Sequence, residues 1–205
     1  MAEDGCAKNI QESVRVAESK TSAEFVVAIQ PQSGNYRDID LIAAATVTAA
    51  AMLFAFFGPV VVNPDFVPLN LLVVFGLVWL ASSKIPHIRR WLTSEERRKG
   101  QVKREAGALF LQYGVSQTRG RTGIMILVSQ LENRIEVMAD SGILRVVENE
   151  SWSQLMNEIQ GGFNSKDLPA TAVVTVEMLG DFLKDQLPVE PDDEDELTNV
   201  PVITE

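Results

Sequence analysis

The sequence predicts an α/β fold: a small mixed β-sheet sandwiched by helices, with a two-helix transmembrane hairpin inserted after the first strand. Three observations carry that expectation. Residues 41–62 and 66–85 are two apolar stretches, carrying no charged side chain before Lys84 and separated only by Asn63-Pro64-Asp65. A run rich in β-branched residues precedes them, and two further strand patterns follow. Helical stripes flank these strands along the chain.

The first stripe lies in residues 7–19, where Ile10, Val14 and Ala17 recur at helical spacing. Residues 23–30, Ala-Glu-Phe-Val-Val-Ala-Ile-Gln, read as a strand that ends at Pro31 and Ser33-Gly34-Asn35. Each apolar stretch then matches the ~20 residues that a bilayer-crossing helix needs. Their connection is too short for a domain, so both flanks lie on one side of the membrane. Eight basic residues follow closely: Lys84, Arg89, Arg90, Arg97, Arg98, Lys99, Lys103 and Arg104. The connection has none. Such an excess marks the cytoplasmic side, and Trp79 and Trp91 suit the headgroup level there. Both termini are expected in the cytoplasm. The competing explanation is a helical hairpin buried in a soluble core.

Thr93-Ser94-Glu95-Glu96 fits a capping box with Thr93 as N-cap, opening a helix with Val102, Ala106, Leu109, Phe110 and Tyr113 on one face. Residues 123–129 are apolar throughout, as in a strand covered on both faces. Leu131-Glu132-Asn133 turns the chain into 134–140, where Ile135, Val137 and Ala139 alternate with Arg134, Glu136, Met138 and Asp140. Ser151 is placed to cap a short helix with Trp152, Leu155, Met156 and Ile159 on one face, ended by Gly161-Gly162. A last helix over about 169–187 is expected to bury Val174, Met178 and Phe182. Six of the seven residues 190–196 are acidic, a composition that stays solvated. The organisation is a split cytoplasmic domain (1–38 and 86–187), a membrane hairpin (39–85) and an acidic tail (188–205).

Composition narrows the chemistry. Residues 84–104 are net positive within a chain of net charge −10, so the rest is strongly acidic. The basic segment suits anionic lipid, while the acidic remainder would repel a nucleic-acid backbone. One cysteine, Cys6, excludes an internal disulfide, and one histidine, His87, excludes a His-based triad and a multi-His metal site. The first residues lack the basic start and apolar run of a cleavable signal peptide.

Thr21-Ser22-Ala23-Glu24, the run from Arg121-Thr122-Gly123 through Ser129, and the run from Leu131-Glu132-Asn133-Arg134 through Asp140-Ser141-Gly142-Ile143 together resemble the TPM-domain family. Leu179-Gly180-Asp181-Phe182-Leu183, Leu187-Pro188 and the acidic run to Leu197 resemble a bacterial branch with a central membrane hairpin. The resemblance implies residence in the bacterial cytoplasmic (inner) membrane. It also implies either work in assembling or maintaining membrane complexes, or acid phosphatase activity with divalent-cation binding. Two turns depart from the family pattern: Arg121-Thr122 stands where Asp or Asn usually precedes the glycine, and Asp140-Ser141-Gly142 replaces a Gly-x-Gly turn.

Glu24 and Asp140 are the first candidate metal ligands, with Glu136 a third, because paired carboxylates suit Mg²⁺ or Ca²⁺. They meet only if their strands run antiparallel. Otherwise Glu24 is a solvated strand end and Asp140 caps a turn. Arg119 and Arg121 are candidate anion contacts, and Arg89 and Arg90 candidate lipid contacts. Ser129 and Ser141 have no nearby base in sequence to activate them. Ala43, Ala45, Ala49 and Ala50, beside Thr46 and Thr48, form a small-residue face for close packing within the hairpin or with a partner's helix. The spans hold no ionisable group for an ion pathway. The expected function is therefore a non-catalytic membrane-anchored adaptor that binds other membrane proteins and needs no cofactor. The alternative is a divalent-cation-dependent phosphatase using Glu24, Glu136 or Asp140.

Overall fold

The computed structural model describes residues 2–59, 63–164, 166–189 and 196–203, without the side chains of 2–4 and 6. The chain divides into two units, Met1–Ser33 with Lys99–Glu205, and Gly34–Arg98.

The first unit is mixed α/β. Its four-stranded sheet runs β3-β2-β1-β4, from β1 (Glu24–Gln30), β2 (Gly123–Ser129), β3 (Arg134–Ala139) and β4 (Val202–Ile203). β1 and β2 pair in parallel, Glu24 opposite Gly123 and Gln30 opposite Ser129. β2 and β3 are antiparallel, Ile124 opposite Ala139 and Ser129 opposite Arg134. Every residue of β2 is buried, because this central strand carries apolar side chains toward both sheet faces. The turn between β2 and β3 closes with the Asn133 amide on the Gln130 carbonyl at 3.1 Å. Asn133 sits there at φ 55°, a left-handed value that asparagine tolerates.

Helices cover both faces. On one, α1 (Ala2–Glu18) supplies Ile10, Val14 and Ala17, α7 (Asn149–Gly161) supplies Leu155 and Ile159, and α8 (Leu168–Leu183) supplies Ala172, Val176, Leu179 and Leu183. On the other, α5 (Glu95–Gln112) packs Val102, Ala106 and Leu109 over Val26, Ala28, Met125 and Leu127. α1 and α8 approach so closely that a Cβ added at Gly180 would stand 2.8 Å from the Cβ of Ala17. Only glycine allows that seam to close.

Several sequence expectations are corrected here. The cap of α5 is Ser94, whose Oγ accepts the Arg97 amide at 3.4 Å; Thr93 instead donates to the Arg89 carbonyl at 2.7 Å. α7 begins at Asn149 behind Glu148, so Ser151 lies inside it and donates to the Glu148 carboxylate. An unanticipated helix, α6 (Ser141–Val146), follows β3 directly, with Asp140 as its N-cap. α8 ends at Leu183, and Val174 is 51% exposed rather than buried. The helix is apolar nearly all round, so its stripe has no unique phase in sequence. The expected solvation of 190–195 falls outside the described residues. Beyond them, within the stretch read as a tail, β4 pairs in parallel with β1 at Ala28 and Ile29.

The second unit holds α2 (Arg37–Phe57), α3 (Val67–Lys84) and α4 (Pro86–Leu92). α2 and the 64–84 helical segment are long and apolar enough to cross a membrane, and only 11% and 6% of their apolar windows are buried. A helix serving a soluble core would be mostly buried, so the solvent-facing Leu53, Phe54, Phe57, Leu72 and Leu77 weigh against that reading. α2 and α3 pack on each other in antiparallel sense, since Ser82 near the end of α3 meets Asp40 near the start of α2. Ala44 is the fully buried apolar residue of α2. Ala43 is half-buried, whereas Ala45, Ala49 and Ala50 are exposed.

Candidate functional site

The first unit gathers its polar side chains at the two ends of the sheet. One end is set by the start of β1 and β2 and the finish of β3. Glu24 and Asp140 both lie there, because β3 runs antiparallel to β1 with β2 between them. The link is direct: Glu24 faces Gly123 across the parallel ladder, and the Gly123 carbonyl accepts the Asp140 amide at 2.9 Å. Two strand spacings place these backbones about 10 Å apart. Glu136 faces Leu127, about 13 Å farther along the strand, so the three candidate ligands do not converge. Among the described residues, no group of three or more His, Cys, Asp or Glu side chains is arranged to hold a metal ion.

Glu24 is 7% exposed, and its Oε2 accepts the Leu197 amide at 3.3 Å. The Glu196 carboxylate accepts the Arg119 amide at 2.8 Å. The segment leading to β4 therefore runs over this end of the sheet, a neighbour that sequence reading placed in a tail. Asp140 is 8% exposed; Oδ1 accepts the Ser141 amide and caps α6, while Oδ2 is buried without a hydrogen bond. Arg121 Nη1 stands 3.8 Å from that oxygen, on a side chain 59% exposed. Arg121 has φ 56°, and its carbonyl accepts the Gly142 amide at 2.9 Å. A side chain at position 142 would collide with the Gly120 and Arg121 carbonyls, which is why the α6 entry needs glycine. The arrangement offers one orphaned carboxylate oxygen under one arginine. Two separated carboxylates do not complete the six or more oxygens that Ca²⁺ takes, unless carbonyls and water supply the rest.

Glu136 is half-buried on β3. Loss of hydration holds its carboxyl above the ordinary value near 4.5, and the nearby cations Arg134, Lys103 and Lys99 oppose that rise without cancelling it.

At the opposite end, sequence reasoning missed a buried network. Ser129 Oγ donates to Glu132 Oε2 at 2.5 Å, and Ser33 Oγ donates to Ser129 Oγ at 2.7 Å. The Ser33 amide donates to Glu132 Oε1 at 3.1 Å. Ser129 is thus beside a carboxylate, contrary to the sequence expectation. Both residues are almost wholly buried, Glu132 at 3% and Ser129 at 0%, so no substrate reaches the hydroxyl. The network satisfies both oxygens of a buried carboxyl group and fixes the β2–β3 turn.

Among the described residues, the shortest and most buried ion pair lies in the second unit. Asp40 Oδ1 accepts from Arg89 Nε at 3.0 Å and from Ser82 Oγ at 2.7 Å, while Oδ2 accepts from Arg89 Nη2 at 2.6 Å. Asp40 and Ser82 are each 1% exposed. This constellation joins α2, α3 and α4. Arg97 pairs with Asp38 at 2.8 Å, more exposed to solvent, and lies 5.9 Å over the Tyr36 ring. Arg89, a candidate lipid contact by sequence, is turned inward; Arg90 is half-exposed. Arg119 and Arg121 are both exposed. A signal for Asp40 was present, an acid one residue before an uncharged run, but its partner lies 49 residues on.

No family model matches the chain, and no curated protein matches it. Among solved structures, the NMR structure of BA42 protein from the psychrophilic bacterium Bizionia argentinensis is similar, with 19% sequence identity and a TM-score of 0.59 over 100% of this chain and 94% of that one. At that identity the likeness speaks to fold alone.

Proposed function

We propose that this chain is a membrane-anchored, non-catalytic adaptor of the TPM type, which binds other membrane proteins and helps assemble or maintain a membrane complex. In this reading α2 and α3 cross the bacterial inner membrane as a hairpin, with both termini in the cytoplasm. The observation that carries it is the outward apolar surface of these two helices, closed at one end by the Asp40–Arg89–Ser82 constellation. An ionised pair at the end of a span, inside a small polar knot, keeps charge away from hydrocarbon. Pairing of β1 with β2 supports a hairpin, since one strand precedes both helices and the other follows them. The basic residues of 84–104 then lie on the cytoplasmic side. Exposed Ala45, Ala49 and Ala50 leave a smooth stripe on α2 for another helix.

The test is purification of the full-length chain from its native membrane in mild detergent, with companions identified by mass spectrometry. A discrete, near-stoichiometric membrane protein is the expected result. Absence of any companion across several detergents would overturn the adaptor reading.

A second reading, a divalent-cation-dependent phosphatase, is favoured by one observation: Asp140 Oδ2 is buried without a hydrogen bond, with only the Arg121 guanidinium 3.8 Å away. Asp140 and Glu24 would hold the ion at the sheet end, and Arg121 would contact the phosphate.

A further inference from the structure

We infer that α4 lies on the membrane surface and selects anionic lipid headgroups, with Trp91 inserted at headgroup depth and Lys84 and Arg90 as the cationic contacts. This rests on the membrane reading of α2 and α3.

The helix leaving the bilayer does not continue straight. At Ile85 the backbone turns extended (φ −105°, ψ 101°) and Pro86 starts α4 afresh, since the residue before a proline is driven out of helical conformation. α4 is only seven residues long, yet Trp91 is 86% exposed and Leu92 40%, and Ile85 just before the helix is 44% exposed. An indole with that exposure in water would be an uncompensated apolar surface. Next to the end of a span it matches the interfacial placement that tryptophan favours.

Charge selects the lipid. Asp40 holds Arg89, and Asp38 holds Arg97. Lys84 and Arg90 have no such carboxylate among the described residues. Both precede the exposed indole in sequence, Arg90 directly, and the exposed His87 lies between them. Two cations on the segment that carries the interfacial aromatic, continuous with a span, complement anionic headgroups. The inward pair also explains the orientation: with Arg89 fixed on Asp40, rotation of α4 about its axis is restrained.

The experiment uses full-length protein reconstituted in phosphatidylcholine vesicles, with brominated phosphatidylglycerol or brominated phosphatidylcholine as quencher. Trp79→Phe/Trp152→Phe leaves Trp91 as the sole tryptophan, and Trp91→Phe/Trp152→Phe leaves Trp79. Trp91 is expected to be quenched by brominated lipid, with a relative affinity for phosphatidylglycerol about fivefold or more over phosphatidylcholine. Lys84→Gln/Arg90→Gln is expected to bring that ratio toward one, with Trp91 still quenched. Quenched Trp79 with unquenched Trp91, or with a Trp91 lipid ratio of one, overturns the inference and leaves the span intact. Failure of lipid to quench either tryptophan overturns the membrane reading itself. Should the double glutamine variant not reconstitute, Arg90→Lys and Lys84→Arg supply the comparison, for which an unchanged ratio is expected.

Discussion

Arg89 grips Asp40 with two parallel hydrogen bonds, Nε to Oδ1 at 3.0 Å and Nη2 to Oδ2 at 2.6 Å, and Ser82 adds a third to the same carboxylate. The fork of the guanidinium matches the carboxylate edge to edge, so geometry as well as charge holds α4 to the start of α2. Few features of the chain couple residues so far apart in sequence within the second unit.

Breaking that pair from one side leaves a buried charge alone. Arg89→Ala is expected to destabilise by about 3 kcal/mol, the cost of leaving the buried Asp40 carboxylate orphaned. Asp40→Ala/Arg89→Ala should cost less than the two single changes together, by about 1–3 kcal/mol. Unfolding of the detergent-solubilised protein over the four members of the cycle measures this coupling; strict additivity would show that the pair is incidental.

Two alanines one residue apart should behave oppositely. Ala44 is fully buried, so Ala44→Leu overpacks the hairpin and should cost about 1–3 kcal/mol. Ala45 is exposed, so Ala45→Leu should leave stability within about 0.5 kcal/mol and instead reduce recovery of a membrane partner. Thermal unfolding and co-purification, run side by side, separate the two effects.

The raised Glu136 carboxyl gives stability a definite sign with pH. As pH rises from near 4.5 toward the folded-state value, the unfolded chain has released this proton while the folded chain retains it. The contribution of Glu136 to stability therefore falls with rising pH across that window. Glu136→Gln should remove this slope and be more stable at neutral pH, by up to about 1 kcal/mol. Unfolding midpoints from pH 4 to 8 for both proteins decide it, and a steeper slope in the variant would contradict the burial argument.

Hydrolysis distinguishes the two functional readings. On the adaptor reading, the full-length protein with Mg²⁺ should hydrolyse a generic phosphomonoester no faster than Asp140→Asn/Glu24→Gln. Activity lost in that variant would move the assignment to the sheet end. Asp140→Ala should independently weaken α6 by about 1 kcal/mol through its missing cap, so asparagine, which still caps, is the informative change.

Much of the fold was readable where chemistry is local. β2 is apolar on both faces because it is central, and its limits follow from that run alone. α1 and α5 declare their buried faces by spacing. What escaped notice depends on distance. The acid at position 40 looks like an ordinary residue before a span until Arg89 arrives, and Ser129 looks unaccompanied until the turn brings Glu132 back. β4 is two residues behind an acidic run, too short to show a period. α6 was hidden by its own cap, since Asp140-Ser141-Gly142 is equally good as a turn. At the sheet end, Glu24 and Asp140 were identifiable as residues, but their shared location needed the antiparallel sense of β3.

The parallel ladder between β1 and β2 has a consequence for biogenesis. During synthesis, residues 24–30 emerge long before residues 123–129, and both apolar helices are translated in between. β1 cannot acquire its ladder partner until that stretch has left the ribosome. Meanwhile its open backbone is a template for unwanted pairing. Synthesis of α2 and α3 thus precedes completion of the sheet, and a chain stalled at that step would be a substrate for chaperones or proteases rather than a half-built but stable domain.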